Sequence, residues 1–181
     1  MLSYNVAGLL RATPGTVRTY PVRATTLAIA DDLRLAAPIE GEVRLSRTGR
    51  SILARAELRT ALEEHCSRCL IPLVAPVVVR VDEEALPSID LLTGQPLDLT
   101  SEPEALRLDD HHELDLTEPV REAIALAEPI RSLCRPDCRG LCATCGTDLN
   151  ADPSHHHGEP EIDPRLAALA EWRPADDDPT T

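Results

Sequence analysis

The chain has 181 residues and a formal net charge of −13 at pH 7, and 43% of its residues are hydrophobic. This length suits one domain with a real core, or one domain and a small module. Only 2% of the residues are aromatic and phenylalanine is absent, so leucine, valine, isoleucine and alanine must build the core. The negative charge excludes nucleic-acid binding through the overall field, because phosphates are repelled, and favours a basic protein as partner.

The N-terminal sequence predicts the compartment. The stretch MLSYNVAGLLRATPG has no basic segment before its short apolar run and no clear cleavage site for export. No apolar stretch approaches the length that spans a bilayer. We therefore expect a cytoplasmic protein with no membrane partner. In a reducing compartment, closely spaced cysteines favour metal or redox chemistry over structural disulfides.

The first two thirds of the chain change from a mixed pattern to a strand pattern. Residues 1–35 are mixed, and TLAIADDLRLA fits an extended segment as well as a short helix. Apolar and charged residues then alternate in GEVRL and in SILARAELRTALEE, and a turn at Thr48-Gly49 between them predicts a β-hairpin. A third strand is predicted in APVVVRVDEE, where Val77, Val79 and Val81 share one face. Together these segments predict a small antiparallel sheet over 36–83.

Irregular segments and short helices are predicted after the sheet. Residues 83–118 are acidic and rich in turn residues, which indicates a long irregular connection exposed to solvent. A helix is predicted near 118–128 with Thr117 as its N-cap, and another at 164–172. The tail, 174–181, has the composition of a disordered segment. We predict an α+β fold with a β-rich domain (1–118) and a second part (119–173) that contains the helices and a cysteine-rich zinc-knuckle module.

The six cysteines form three closely spaced pairs. The spacing C-x2-C occurs twice, first on the predicted turn between strands two and three, and C-x3-C occurs once. On a tight turn, C-x2-C directs both sulfurs at one ion, and zinc prefers four thiolate or imidazole ligands in a tetrahedron. We therefore predict bound Zn²⁺, with these ligands: Cys66, Cys69, Cys134, Cys138, Cys142 and Cys145.

The spacing leaves the grouping of the ligands open. The pair Cys66 and Cys69 could share an ion with a downstream pair, or the four cysteines of 134–145 could form a local site. The triplet His155, His156 and His157 adds candidate imidazole ligands, although an exposed histidine run fits the sequence as well. The spacing C-x2-C also occurs in thioredoxin-like sites, which need a βαβ surround. An iron–sulfur site would lack the compact ferredoxin spacings.

The sequence contains no catalytic constellation. It has no glycine-rich phosphate loop, nucleophile elbow or HExxH motif, and its acidic residues follow no spacing that pairs them for acid–base chemistry. A closed site of four cysteines is structural, because catalytic zinc keeps an open coordination position. We therefore expect that the protein is not an enzyme.

Three stretches in order resemble the YceD-type large ribosomal RNA subunit accumulation proteins: CSRCL, then LTEPVREAIALAEPIRSLCRPDCRGLCATCGTDLN, then DPRLAALAEW. The resemblance covers residues 40–173. It implies a non-enzymatic role in the accumulation of large-subunit ribosomal RNA and in ribosome assembly. The implied partner is the pre-ribosomal large subunit or a basic ribosomal protein, with weak direct binding to RNA. Where relatives often carry further cysteines after L-N, this chain has the histidines 155–157.

Two hypotheses from different classes follow. A zinc-stabilised assembly factor requires cysteines that are held by tightly bound metal. A thiol redox or metal-handling protein that uses the C-x2-C pairs requires reactive, titratable cysteines instead. Four arginines near the cysteines fit either a small phosphate-facing patch or a charge balance for thiolate-bound zinc: Arg68, Arg131, Arg135 and Arg139.

Overall fold

A long antiparallel hairpin organises the fold. The structure is a computed structural model that describes residues 2–25, 27–98, 105–158, 165–166 and 169. Further strands, long and short, and two helices accompany the hairpin in the described residues. The elements in chain order are β1 (Ser3–Asn5), α1 (Ala7–Leu10), β2 (Val17–Ala24), β3 (Leu35–Thr48), β4 (Ser51–His65), β5 (Pro72–Leu86), β6 (Leu106–Arg107), β7 (Glu113–Asp115) and α2 (Thr117–Leu126). Neither helix in this described part of the chain is long and apolar enough to cross a membrane.

Five strands form one sheet in the order β2-β3-β4-β5-β6. Its neighbouring strands are antiparallel, except that β5 and β6 run parallel over two residues. The three predicted strands are confirmed as β3, β4 and β5, and the predicted turn is closed by Thr48 and Ser51, which face each other. The strands β2 and β6 extend the sheet beyond the prediction. A separate two-stranded antiparallel sheet pairs β1 with β7.

One face of the large sheet is buried, as the alternation along the strands predicts. The helices cover this face, since Leu9 of α1 and both Val120 and Ile124 of α2 belong to the same core cluster. The opposite face carries charged pairs, such as Arg55 of β4 and Asp82 of β5. The buried apolar side chains that β4 and β5 contribute to the main core are Ile52, Ala54, Ala56, Leu58, Leu62, Val77, Val79, Val81 and Ala85.

The segment expected to be a solvated acidic connection, 83–118, contributes to the core. Strand β5 continues to Leu86, and β6 and β7 follow within the segment. Leu108, Leu114 and Leu116 are 1%, 0% and 0% exposed and pack in the main core. The expectation of a solvated spacer is wrong for these residues, because burial of the leucines outweighs the acidic character of the surrounding sequence.

The mixed N-terminal segment forms β1, α1 and β2. Residues 27–34, which follow them, are irregular rather than helical, and strand β3 begins at Leu35. Ile29 and Leu33 are nonetheless buried in the main core. Side-chain burial therefore holds this segment in place without regular hydrogen bonding.

Helix α2 lies close to its predicted position, but its first turn differs. The N-cap is Leu116 rather than Thr117, and no side-chain hydrogen bond is made by the cap residue. Asp115 supplies an acceptor instead, since its Oδ1 accepts the N–H of Thr117 at 2.8 Å. The other predicted helix, 164–172, lies mostly outside the described residues, and the tail 174–181 lies wholly outside them.

Candidate metal centre

The tip of the β4–β5 hairpin is a short loop, residues 66–71, that carries the first cysteine pair. The two strands stay paired up to their last residues, so the loop leaves the sheet directly. Within it, Cys66 donates its N–H to the carbonyl of Ile71 at 2.9 Å, and Leu70 donates its N–H to the carbonyl of Cys66 at 2.9 Å. This tight turn places Cys66 and Cys69 side by side, on the turn where the sequence predicts them.

Hydrogen bonds fasten a distant segment, residues 132–141, to this hairpin loop. Ser67 donates both its N–H and its hydroxyl to the carbonyl of Ser132, at 2.8 and 3.0 Å. The carbonyl of Arg68 accepts the N–H of Leu141 at 3.1 Å. The guanidinium of Arg68 donates to the carbonyl of Cys138 at 2.5 Å. These contacts bring the second cysteine pair to the hairpin tip.

Four cysteine sulfurs meet at the tip. The Sγ atoms of Cys66 and Cys138 are 3.8 Å apart, and those of Cys69 and Cys134 are 3.6 Å apart. All four lie within 4.8 Å of one another. A tetrahedral zinc ion with bonds of about 2.3 Å holds its sulfurs about 3.8 Å apart, so the spacing matches a four-thiolate site. These four cysteines could hold a metal ion, and we refer to them as the four-cysteine site.

The four-cysteine site has a small apolar core of its own. Cys66 and Cys138 are 0% exposed and Cys69 is 7% exposed. The side chains packed against them form a cluster separate from the main core, and they are Leu73, Leu133 and Leu141. Because water is excluded from most of the sulfurs, charge that develops there must be balanced locally.

The thiols of this site differ in pKa because their surroundings differ. The amides of Cys69 and Cys134 donate to the sulfur of Cys66 and lower the pKa of that thiol to about 5. Cys134 is exposed as a residue, but its sulfur faces the other thiols. Desolvation and then the hydrogen bond with Cys69 raise the pKa of Cys134 to about 12. One thiolate therefore forms readily, while further negative charge requires a nearby cation.

Gly140 allows the distant segment to approach the hairpin loop. Its φ is +82°, a conformation that residues with a Cβ rarely adopt. A Cβ at this position would lie 2.9 Å from the carbonyl oxygen of Arg68 and 3.1 Å from the Cβ of Arg68. Both the backbone conformation and the close contact therefore favour glycine in the stretch CRGLC.

The third cysteine pair lies apart from the four-cysteine site and gathers with two histidines. The Sγ of Cys145 is 3.2 Å from Nε2 of His155 and 3.3 Å from Nε2 of His157. The two Nε2 atoms are 3.1 Å apart, and Cys142 completes a group whose four ligand atoms lie within 4.8 Å of one another. His156 contacts a backbone carbonyl instead. This group, the cysteine–histidine site, could also hold a metal ion.

The six predicted ligands therefore divide into groups of four and two. The structure adopts the alternative in which the hairpin pair joins a downstream pair, and it brings in two residues of the histidine triplet. The grouping depends on the contact between the hairpin loop and residues 132–141, which spacing alone does not show. The spacing H-x-H of His155 and His157 was the available signal for the second group.

Three of the four arginines near the cysteines donate hydrogen bonds to backbone or side-chain oxygens around them. Besides Arg68, Arg135 donates to Oδ1 of Asn150 at 2.7 Å, and Arg139 donates from its guanidinium to the carbonyl of Pro153 at 2.8 Å. Asn150 also accepts the backbone N–H of Arg139 at 2.8 Å. These guanidinium groups link the parts of the cysteine-rich segment to one another, in addition to placing positive charge near the thiols.

Comparison with known protein families extends the resemblance seen in the motifs. The model of the family described as large ribosomal RNA subunit accumulation protein YceD matches residues 54–172. This chain belongs to the YceD family. The matched range begins in β4 and includes all the cysteines and histidines of both candidate sites. The resemblance inferred from the cysteine motifs is thereby confirmed.

Relatives in several organisms match this YceD-family chain. An uncharacterized protein of Mycobacterium tuberculosis is 35% identical over 131 residues, 72% of this chain and 59% of that protein. One of Mycobacterium leprae is 30% identical over 138 residues, 75% of this chain and 59% of that protein. The chloroplastic large ribosomal RNA subunit accumulation protein YCED homolog 1 of Zea mays is 40% identical over 42 residues, 23% and 14% of the two chains.

The lengths of these proteins differ. The chain spans less than two thirds of the length of the mycobacterial relatives that it matches. Comparison with solved structures gives no match. The family assignment therefore rests on sequence, and the geometry of the two candidate sites is described from this chain alone.

Proposed function

We propose that this protein is a non-enzymatic factor that acts in the cytoplasm and supports both the accumulation of large-subunit ribosomal RNA and the assembly of the large ribosomal subunit. The observation that carries the proposal is the match of the YceD family over residues 54–172. The name of the maize relative also refers to accumulation of the large ribosomal RNA subunit. The physical features of the chain then indicate how such a factor works.

Zinc bound at the four-cysteine site is the structural part of the proposal. The sulfur spacing and burial are typical of closed structural zinc sites, which have no open position for a substrate. The ion would join the hairpin tip to residues 132–141 and so hold together the surface that a partner meets. Zinc would also add folding free energy there, because the unfolded chain does not present the four ligands together.

Burial favours metal binding over thiol redox chemistry at this site. A redox-active thiolate is reactive only where another thiol or disulfide can reach it. Cys66, the cysteine whose pKa is lowered to about 5, is 0% exposed. The amides that stabilise a thiolate at Cys66 prepare it as a metal ligand, whereas exchange with an external disulfide needs access that this closed position lacks.

The net charge of −13 determines the kind of partner. Phosphate backbones repel such a chain, so its affinity for bare RNA should be weak at physiological salt. A basic ribosomal protein, free or on the pre-ribosomal large subunit, is attracted by the same field, and this attraction speeds the encounter. We infer that the protein acts as an acidic adaptor or shield for such a protein.

Depletion of the protein tests the ribosomal role. Depleted cells should contain less large-subunit relative to small-subunit ribosomal RNA, and they should accumulate immature large subunits in sedimentation gradients. Re-expression of the wild-type chain should restore both measurements. If the RNA ratio and the subunit profile stay unchanged after depletion, the assembly role is wrong.

Binding measurements test the acidic adaptor separately. The purified protein should associate with pre-ribosomal particles or with a basic ribosomal protein, and rising ionic strength should slow that association. Naked large-subunit RNA is the comparison ligand and should bind weakly. Tight binding to naked RNA that resists salt would contradict the adaptor mechanism and would leave the assembly role intact.

A further inference from the structure

The loop of residues 142–147 repeats the backbone of the hairpin loop. Cys142 donates its N–H to the carbonyl of Thr147 at 2.8 Å, and Gly146 donates its N–H to the carbonyl of Cys142 at 2.8 Å. The two corresponding bonds of the hairpin loop are each 2.9 Å long. The fifth residue has positive φ in both loops, 75° at Gly146 and 61° at Leu70. The two loops are therefore the same kind of turn.

The sulfurs of the two loops also accept the same amide hydrogen bonds. In the hairpin loop, the sulfur of Cys66 accepts from the amides of Arg68 and Cys69. The sulfur of Cys69 accepts from the amide of Ile71. In the other loop, Cys142 accepts from the amides of Thr144 and Cys145, and Cys145 accepts from the amide of Thr147. Each loop therefore presents a pair of thiolate acceptors in the same way.

We propose that Cys142, Cys145, His155 and His157 bind a second zinc ion, independently of the four-cysteine site. Two thiolates and two imidazoles are a ligand set that zinc takes in structural sites. The knuckle turn supplies the two sulfurs, and the H-x-H stretch supplies two Nε2 atoms at 3.2 and 3.3 Å from one of them. This inference rests on the residues of the chain and does not depend on the ribosomal role.

The second site differs from the first in the sequence separation of its ligands, in their exposure and in net charge. All its ligands fall within residues 142–157, so its ion closes a local loop, whereas the four-cysteine site joins the sheet to a distant segment. Cys145 and His157 are exposed, and Cys142 and His155 are half-buried. A chelator should therefore remove the second ion first. Two thiolates neutralise a divalent ion, so the second site carries no net charge, in contrast to four thiolates with one ion.

The zinc content of the full chain, purified under reducing and anaerobic conditions without chelator, tests the proposal. The wild-type protein should contain two zinc ions per chain. The double variant His155→Ala/His157→Ala should contain one and should keep its sheet, as measured by circular dichroism. The variant His156→Ala is the matched control, because this ring contacts a backbone carbonyl rather than the site, and it should contain two.

Cobalt(II) provides a second readout, because its absorption depends on the number of thiolate ligands. Some of the cobalt absorption of the wild-type protein should be absent from the double variant. That missing absorption should be typical of a site with two sulfur and two nitrogen ligands. One ion per wild-type chain that the double variant retains, or two ions in the double variant, would overturn the proposal. Loss of both ions from a folded double variant would overturn the independence of the two sites.

Stepwise removal of zinc from the wild-type protein tests the second site without a variant. It therefore still applies if the double variant fails to fold. As chelator is added, one ion should leave while the circular dichroism of the sheet is unchanged, and the other should leave later. Release of all zinc in one step, together with loss of the sheet, would contradict the proposed second site.

Discussion

Single backbone positions decide how closely the cysteine-rich segment approaches the hairpin loop. The variant Gly140→Ala is expected to lower the free energy of unfolding by at least about 1 kcal/mol, because a Cβ is disfavoured in the left-handed region. Contact with the carbonyl oxygen of Arg68 adds to that cost. Urea unfolding of the zinc-bound protein measures the change.

The matched control for this prediction is Gly158→Ala. A Cβ at Gly158 has no heavy atom within 4 Å, and the φ of this residue lies outside the left-handed region. Its stability should stay close to that of the wild type. If Gly140→Ala and Gly158→Ala unfold at the same urea concentration, the close approach of Gly140 to the hairpin loop is wrong.

Leu70 shows the opposite case, a residue with a Cβ at a position that suits glycine. Its φ is 61°, and 61% of the residue is exposed, so little burial compensates for the conformation. We expect Leu70→Gly to stabilise the protein by up to about 1 kcal/mol, since relief of the left-handed conformation exceeds the entropy that glycine adds to the unfolded chain. The thermal midpoint of the zinc-saturated protein measures this effect.

An exposed leucine with ordinary backbone geometry provides the comparison for Leu70. Leu92 is 95% exposed, and its φ is not positive. The variant Leu92→Gly should therefore leave the thermal midpoint unchanged or lower it, because only the unfolded-state entropy changes. If Leu70→Gly is the less stable of the two variants, backbone strain at Leu70 is not the deciding factor.

For single residues, the sequence predicted which types of side chain are candidate ligands, but not which of these residues lie together in one site. The spacing C-x2-C is a local signal for two sulfurs on one turn, and all three cysteine pairs occur in the two candidate sites. The partner of each pair depends on tertiary contacts, such as the bonds from Ser67 to the carbonyl of Ser132. Likewise, the run of three histidines does not show that His156 turns away from the site.

Among the elements, the β4–β5 hairpin connects the main core to the four-cysteine site. Each of its strands has 15 residues, which corresponds to about 50 Å of extended chain. The main core lies along the sheet, while the cysteines and their own apolar cluster lie at the tip. Because the two clusters are separate, a substitution in the main core can lower the stability without removing or displacing a metal ligand.

A substitution in the middle of the hairpin tests this separation. Leu58 is 0% exposed within the main core, so Leu58→Ala is expected to lower the free energy of unfolding by about 2–5 kcal/mol. Zinc content of the folded protein should stay at the wild-type value, because the sulfurs pack against a different cluster. Urea unfolding and elemental analysis measure the two quantities.

The exposed Leu92 again provides the control, since Leu92→Ala removes the same atoms from a position that is 95% exposed. It should change the free energy of unfolding by less than about 0.5 kcal/mol. An equally small effect for Leu58→Ala would contradict the assignment of that residue to the core. Loss of zinc from folded Leu58→Ala would show that the two clusters are not separate.

Elements with a clear period were predictable, and elements fixed by tertiary contacts were not. Alternation over 52–62 and 77–81 predicted β4 and β5, because one face is buried and the other is solvated. Strands β6 and β7 have two and three residues, too few to show a period. Their segment is acidic on average, and only the burial of Leu108, Leu114 and Leu116 in the structure shows that it packs inward.

For the whole molecule, the four-cysteine site crosses the predicted division of the chain. Cys66 and Cys69 lie in the predicted β-rich part, 1–118, and Cys134 and Cys138 lie in the predicted second part. The two-part division itself stays a prediction. If zinc occupies this site, its removal should loosen residues 132–141 while the sheet remains, because the main core is independent of the cysteines.

The ratio of large-subunit to small-subunit ribosomal RNA provides the most direct test that zinc at this site supports the family's role. It should be measured in cells whose only copy of the protein is Cys66→Ser/Cys138→Ser, at the expression level of a wild-type control. The ratio should fall toward that of depleted cells, because residues 132–141 are then no longer held to the hairpin by an ion. A wild-type ratio, with a variant shown to have lost zinc from this site, would contradict the account.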